Sequence, residues 1–220
     1  MRQKLETGLT VVVGLCTIVL TALVLRREFA PPVASAAAQV AAPRVIANWQ
    51  ENAAAGRRMG PNGARILITE FADFECPACA AAVPVLTEIR AKYPNDVAVM
   101  FRHFPLAYHR FARPAAQAAE CAAEADRFES FHDLLWATKD SLGLIPFSRL
   151  AARAGVADTA AFAACLDRPG DVPRIEADIA AGRALGVPGT PTFLVNDRFL
   201  EGPPTTRQLE ALIDQLLSEQ

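Results

Sequence analysis

The stretch that most constrains this chain runs from Arg65 to Phe104, where a strand-like run, a segment of helix length and a second strand-like run follow one another. Ile66, Leu67, Ile68 and Phe71 make a short, nearly continuous apolar run, as expected of a strand buried on both faces. Residues 76–93 have the length of a helix, and Asp96–Phe104 returns to strand, with Val97, Val99 and Phe101 alternating against Ala98, Met100 and Arg102. Strands joined through a helix of that length pair in parallel by a right-handed crossover, since a tight hairpin cannot join parallel neighbours. An α/β core follows.

Ahead of that core, Gly8 to Leu25 carries no charge over 18 residues and is preceded by Arg2 and Lys4. At about 1.5 Å per residue it spans roughly 27 Å, close to a bilayer core of about 30 Å and longer than the 7–15 apolar residues usual in a signal peptide. The expected arrangement is a cytoplasmic tail over 1–7, a transmembrane anchor over 8–25 and a tether over 26–48. The tether is rich in Ala, Pro, Ser and Gln between Ala30 and Pro43. The other reading is a signal sequence cleaved after Ala36, where Ala34-Ser35-Ala36 has the small-x-small form; Arg26 and Arg27, directly after the apolar run, suit an anchor better. Without residues 1–30 the chain keeps 18 basic against 22 acidic groups, a balance that offers no basic surface to a nucleic acid.

Beyond residue 107 the pattern is almost wholly helical to 186. Pro114 suits the first turn of an Ala-rich helix, Phe128, Phe131 and Leu135 form an apolar stripe, and Ser148 and Asp158 are N-cap candidates. Gly155 and Gly186 suit helix ends. The 43 Ala of the chain account for much of its 52% hydrophobic content, and Ala favours helix without driving burial strongly. Thr192–Asn196 and Arg198–Glu201 read as strands around a tight Asn196-Asp197 turn. Thr205 with Gln208 opens a last helix whose Leu209, Leu212, Ile213 and Leu216 share one face.

The chemistry gathers at Cys76-Pro77-Ala78-Cys79, where the first strand gives way to the helix. The unbonded N–H groups and positive dipole end of a helix N-terminus favour a thiolate at its first position, as an attacking group and a leaving group of thiol exchange require. Cys79, one turn further in, is the resolving thiol. The same spacing occurs in zinc sites, but His103, His109 and His132 have no ligand-like spacing with one another, so no metal is expected.

Three segments, Phe71-Ala72-Asp73-Phe74-Glu75-Cys76-Pro77-Ala78-Cys79, Phe101-Arg102-His103-Phe104-Pro105-Leu106 and Gly186-Val187-Pro188-Gly189-Thr190-Pro191-Thr192-Phe193, together resemble the DsbA-like thiol:disulfide oxidoreductases of the thioredoxin superfamily. The resemblance covers roughly residues 49–217. It implies a thioredoxin fold over 49–107 and 187–220 with a helical insertion over 108–186, behind the N-terminal transmembrane helix. It also implies a redox-active disulfide between Cys76 and Cys79, and a substrate-contacting surface of Pro77, Ala78, Thr190 and Pro191 with Pro191 in cis. Glu70 matches the buried acid that moves the proton of the resolving Cys, the alternative being a paired or edge-exposed carboxylate. Pro84 falls at the helix kink, read here as structural.

Strongly oxidising relatives carry His before the second Cys, and this chain has Ala78 there, which implies a weaker oxidant; His103 is read as structural rather than as a replacement. Cys121 and Cys165 match a second, non-catalytic disulfide of some relatives, against the alternative of two reduced buried thiols. Cys16 lies in the apolar N-terminal run as a bystander. The implied activity is disulfide formation in reduced, newly exported proteins from a single-pass position in the cell inner membrane, catalytic domain in the periplasm or other extracytoplasmic space. A quinone-linked membrane partner restores the disulfide, and no cofactor is needed. A reductase or isomerase using the same pair, and a non-enzymatic metal- or peptide-binding module, are the other classes open to such a fold.

Overall fold

The computed structural model describes residues 19–21, 43–47, 49–53 and 55–219. The chain divides into two units, Met1–Ala42 and Pro43–Gln220. In the first, Val19–Thr21 is helical; the rest of the expected anchor over 8–25, with Cys16, and of the tether up to Ala42 lies outside the described residues. Among the described residues no helix is long and apolar enough to cross a membrane.

The second unit is built on six strands, β1 (Arg44–Val45), β2 (Arg57–Met59), β3 (Ile66–Ala72), β4 (Val97–His103), β5 (Thr192–Val195) and β6 (Arg198–Glu201), in the sheet order β1-β6-β5-β3-β4-β2. β3 and β4 run parallel in the register Ile66↔Val97 to Ala72↔His103, joined through α2 (Pro77–Lys92). A short helix α1 (Trp49–Ala53) precedes β2. The insertion contributes α3 (Ala112–Ala123), α4 (Phe128–Ala137), α5 (Phe147–Arg153), α6 (Thr159–Leu166) and α7 (Pro173–Leu185), and α8 (Thr206–Ser218) closes the chain.

All seven residues of β3 and all seven of β4 are buried, so both faces of the central sheet are covered. Strand alternation sorts them: Ile66, Ile68, Ala72, Val97, Val99 and Phe101 join one core with α2, α8 and insertion residues, while Leu67, Phe71, Ala98 and Met100 join Leu185, Val187, Leu194 and Phe199 on the other face. Glu70 shares the parity of Ile66 and Ile68 and therefore faces the α2 side. The Thr205 and Gln208 capping box starts α8, whose Leu209, Leu212, Ile213 and Leu216 are buried. Gly186 ends α7 in the left-handed region, at φ 72°, where a residue without Cβ is least strained.

Several local expectations change. Asp158 caps α6, accepting from Ala161 N, but Ser148 lies inside α5, whose N-cap is Pro146. The residue before a proline is disfavoured in helix, so Pro146 sets that start and leaves Ser148 nothing to cap. Arg44 and Val45, placed by sequence at the end of the tether, pair with Phe199 and Arg198. Two- and three-residue strands such as β1 and β2 are too short to show a period.

Arg102, which shares the parity of Ala98 and Met100, is buried at 2% exposure. Its Nε donates to Asp178 Oδ1 at 2.9 Å, and His103 N donates to Asp178 Oδ2 at 3.0 Å, so the carboxylate ties β4 to α7. Burial pushes the Asp178 carboxyl up, opposed by the donors from His103 and Arg102. Asp178→Ala leaves a buried guanidinium without this partner and is expected to cost about 3 kcal/mol in urea denaturation; a loss under about 1 kcal/mol contradicts the role.

Candidate functional site

Cys76 is the N-cap of α2, in extended conformation with φ −74° and ψ 120°, and Pro77 stands in the first turn, where its missing N–H costs no helical bond. No side chain caps this end, so its unbonded N–H groups remain directed at the Cys76 position. Cys76 N donates to Asp73 O at 3.0 Å, and Ala80 N donates to Cys76 O at 3.2 Å. The Cys76 thiol, 6% exposed as a residue, donates to Thr190 O at 3.3 Å. Its neighbour Pro77 is exposed and Ala78 half-buried.

The Thr190-Pro191 bond is cis. Gly202 N donates to Pro191 O at 3.0 Å and Thr192 Oγ1 to Gly189 O at 2.7 Å, fixing the loop against the Cys76 position. The Thr190 carbonyl is therefore held within hydrogen-bond reach of the Cys76 sulfur. Both Cys76 and Cys79 are free thiols here. Cys79 is wholly buried; burial drives its thiol far above the ordinary range, and the negative charge of Glu70 adds to the effect.

Glu70 is 2% exposed, and its Oε1 has no hydrogen-bond partner. Neither of its alternatives, an ion-paired or an edge-exposed carboxylate, is found. Burial alone pushes its carboxyl up to about 8. It borders a cavity of about 30 Å³ lined also by Met59, Val83, Leu86, Val99 and His132. His132 is buried and held on both ring nitrogens: Nδ1 lies 2.8 Å from Asp133 Oδ1 and Nε2 accepts from Trp136 Nε1 at 2.9 Å. Burial lowers its pKa.

Sequence reasoning missed Asp73. Its buried carboxylate accepts from Glu75 N and from Leu106 N and His109 Nδ1, each at 2.8 Å. It thereby fixes the turn that delivers Cys76 to the start of α2. The available signal was an acid directly after the β3 run, three residues before the first Cys. His103 places Nε2 2.9 Å from Glu120 Oε1, and Glu120 also accepts from both Arg57 Nε, at 3.0 Å, and Arg57 Nη2. Burial pushes the Glu120 carboxyl up, but these donors outweigh it and hold it down at about 2. The imidazole is engaged in an ion cluster rather than with a sulfur.

Cys121 and Cys165 are joined by a disulfide between α3 and α6, with 5.8 Å between Cα atoms. The sequence separation of 44 residues corresponds to about 4 kcal/mol on a chain-entropy account. Among the described residues no group of three or more His, Cys, Asp or Glu is placed to hold a metal ion.

With this geometry in view, the thioredoxin family's sequence model matches residues 52–215. Among solved structures, a thioredoxin-like oxidoreductase from Silicibacter pomeroyi is similar at 25% identity and a TM-score of 0.64, over 78% of this chain and 99% of that one. A periplasmic thioredoxin-like protein from Salmonella enterica serovar Typhimurium is 25% identical at a TM-score of 0.61, over 79% and 98%. The alpha-DsbA1 protein of Wolbachia pipientis is 25% identical at 0.63, over 74% and 90%. Among curated proteins, a Na(+)/H(+) antiporter NhaA 3 from Salinispora tropica is 41% identical over 156 residues, 70% of this chain. The chain spans about a quarter of the length of such relatives, 24% in that case.

Proposed function

The chain belongs to the thioredoxin family as a DsbA-like thiol–disulfide oxidoreductase, and from that premise we propose that it forms disulfides in reduced proteins outside the cytoplasm while held at the membrane by its N-terminal segment. The observation that carries this reading is the asymmetry of the cysteine pair: Cys76 lies at the helix end against the Thr190 carbonyl, and Cys79 is sealed behind it. A helix N-terminus favours negative charge. That favours the reduced form of a pair placed there, which makes its disulfide an oxidant.

In the exchange, a substrate thiolate attacks Cys76 Sγ of the oxidised pair. The Cys76–Cys79 bond breaks, the substrate–Cys76 bond forms, and the electron pair leaves on Cys79, which takes up the proton held by Glu70. A second substrate thiolate then attacks the substrate sulfur, forming the product disulfide and releasing Cys76 as thiolate. Two substrate thiols are oxidised and one protein disulfide is reduced. A quinone-linked membrane oxidoreductase is proposed to remove the two electrons. Thr190 and Pro191 line the substrate backbone, and Pro77 and Ala78 form the exposed edge beside the attacked sulfur.

The likeness to a periplasmic thioredoxin-like protein of Salmonella supports the compartment. The NhaA relatives, transporters by name, support a domain of this kind working at a membrane; ion transport itself is not proposed for this chain. The test is oxidative refolding: oxidised full-length protein added to reduced, unfolded ribonuclease is expected to restore ribonuclease activity with loss of one Cys76–Cys79 disulfide per disulfide formed. No recovery, together with accelerated reduction of insulin by a dithiol, would instead support the reductase or isomerase reading. Neither effect would leave the non-enzymatic module.

A further inference from the structure

The proposed exchange needs a proton path that the residues assigned so far do not supply. Each time Cys79 takes the proton of Glu70, another must reach that carboxylate, and one must leave again when the disulfide is restored. Yet Glu70 is 2% exposed and Cys79 not at all. A route to solvent lies on the side of α4. The cavity of about 30 Å³ beside Glu70 is bounded by Met59 and Val99 at the sheet and by Val83, Thr87, Arg90 and Asp133 on the helix side. Those same four residues line an open groove of about 400 Å³ between α2 and α4, with Pro84 and Trp136 among its other walls. Cavity and groove are therefore separated only by side chains they share.

The cavity has the size and the polarity to hold water. About 10–15 Å³ is enough for one molecule, which also needs two to four polar partners. Glu70 Oε1 is buried without a partner, and Thr87, Arg90 and Asp133 bring polar groups to the same space. One imidazole orders the mouth. An indole N–H can only donate, so His132 Nε2 accepts the 2.9 Å bond from Trp136, and the ring proton sits on Nδ1, which donates to Asp133 Oδ1 at 2.8 Å. Asp133 is thus fixed in place while its side chain keeps 62% exposure. The nearby cations are engaged elsewhere, Arg90 with Glu129 and Lys139 with Asp140, each at 2.5 Å.

We propose that this groove is the proton entrance of the buried site: Asp133 exchanges protons with solvent, water in the cavity passes them to Glu70, and His132 is the positioning residue that holds Asp133 at the mouth. Its part in turnover rests on the exchange activity proposed above. A proton moving inward goes from solvent to the Asp133 carboxylate, from the resulting carboxyl to the water, and from the water to Glu70. The outward transfer reverses that order. Transfer through one water is within the reach of a positioned acid or base. An entrance on the α4 side leaves the Cys76 mouth to the substrate, so that proton and thiol do not compete for one opening.

The experiment follows hydrogen–deuterium exchange of the Glu70 carboxyl by rapid mixing of the reduced full-length protein into deuterated buffer below pH 7. The infrared carbonyl band of that group is identified by its loss in Glu70→Gln. Asp133→Asn is expected to slow the exchange at least about tenfold, since a positioned acid contributes roughly 10²–10⁴-fold and bare water still offers a slower path. Thr87→Leu, which places an aliphatic side chain in the shared wall, should slow it several-fold, and Asp133→Glu should keep most of the rate. Added imidazolium buffer should restore part of the rate lost in Asp133→Asn. An entrance alters rates and not end states, so the Cys76–Cys79 potential and the urea midpoint should stay those of the unaltered protein. Rates unchanged in both Asp133→Asn and Thr87→Leu overturn the entrance, as does slowing that appears only together with lost stability. Carboxyl exchange needs no thiol substrate. An unaltered protein that exchanges deuterium through Asp133 but oxidises no thiol therefore overturns the exchange reading and leaves the entrance standing.

Discussion

Cys76→Ser is expected to abolish disulfide exchange, lowering the rate by at least about a thousandfold, because the only other thiol of the pair is sealed from substrate. The two cysteines differ in position rather than in kind. Cys76 caps α2 beside the exposed Pro77 and within 3.3 Å of the Thr190 carbonyl, whereas Cys79 has no exposed surface and its thiol is driven upward by burial and by Glu70. The reciprocal variant should therefore behave differently. Cys79→Ser retains the accessible sulfur and should accumulate a mixed disulfide with a substrate-derived disulfide, since no resolving thiol remains to release it. Mass spectrometry after acid quenching separates the cases: a covalent adduct on Cys79→Ser and none on Cys76→Ser. Adducts of equal yield on both variants would mean that the two sulfurs are equally reachable, against the geometry.

Glu70→Gln is expected to make the reduced protein more stable at pH 8 while slowing the exchange. In the folded chain this carboxyl holds its proton up to about pH 8, against an ordinary value of 4.5, so between those values the folded state binds a proton that the unfolded state has released. Stability must then fall as pH rises through that window and level off above it. At about 1.4 kcal/mol for each tenfold in proton affinity the full loss is on the order of 5 kcal/mol. An amide does not titrate, so urea denaturation should show Glu70→Gln gaining on the unaltered protein from pH 5 to pH 8, with little difference at pH 5. A difference that stays constant across the window contradicts a buried, protonated Glu70. In the proposed exchange the same substitution removes the proton donor of Cys79 and should slow release of that thiol by roughly a hundredfold.

What was legible in the sequence was what repetition and spacing encode. The apolar run of β3 and the alternation of β4 announce a parallel pair, and the two cysteines at the junction with α2 announce the site. The cap residues Asp158, Thr205 and Gln208 hold their places because capping is local. Contacts between distant segments were not legible. Asp73 reads as one more acid until Leu106 and His109 donate to it, and Arg102 reads only as one position of a strand's alternation until Asp178, 76 residues further along, receives it. Ser148 misleads because a proline two residues earlier outranks a hydroxyl in starting a helix. The burial of Glu70 was expected from the resemblance, and the sheet parity supplies its physical cause.

The most direct measurement of the central claim is the redox potential of the Cys76–Cys79 pair in the full-length protein, titrated against glutathione and read by alkylation of the two thiols. A pair poised by a helix N-terminus, with Ala78 in place of the histidine of stronger oxidants, is predicted to titrate as a single two-electron couple between about −270 and −120 mV. A potential at or above about −120 mV would contradict the weakening assigned to Ala78. A potential at or below about −270 mV, in the range of a thioredoxin-type reductant, would contradict the oxidant reading itself.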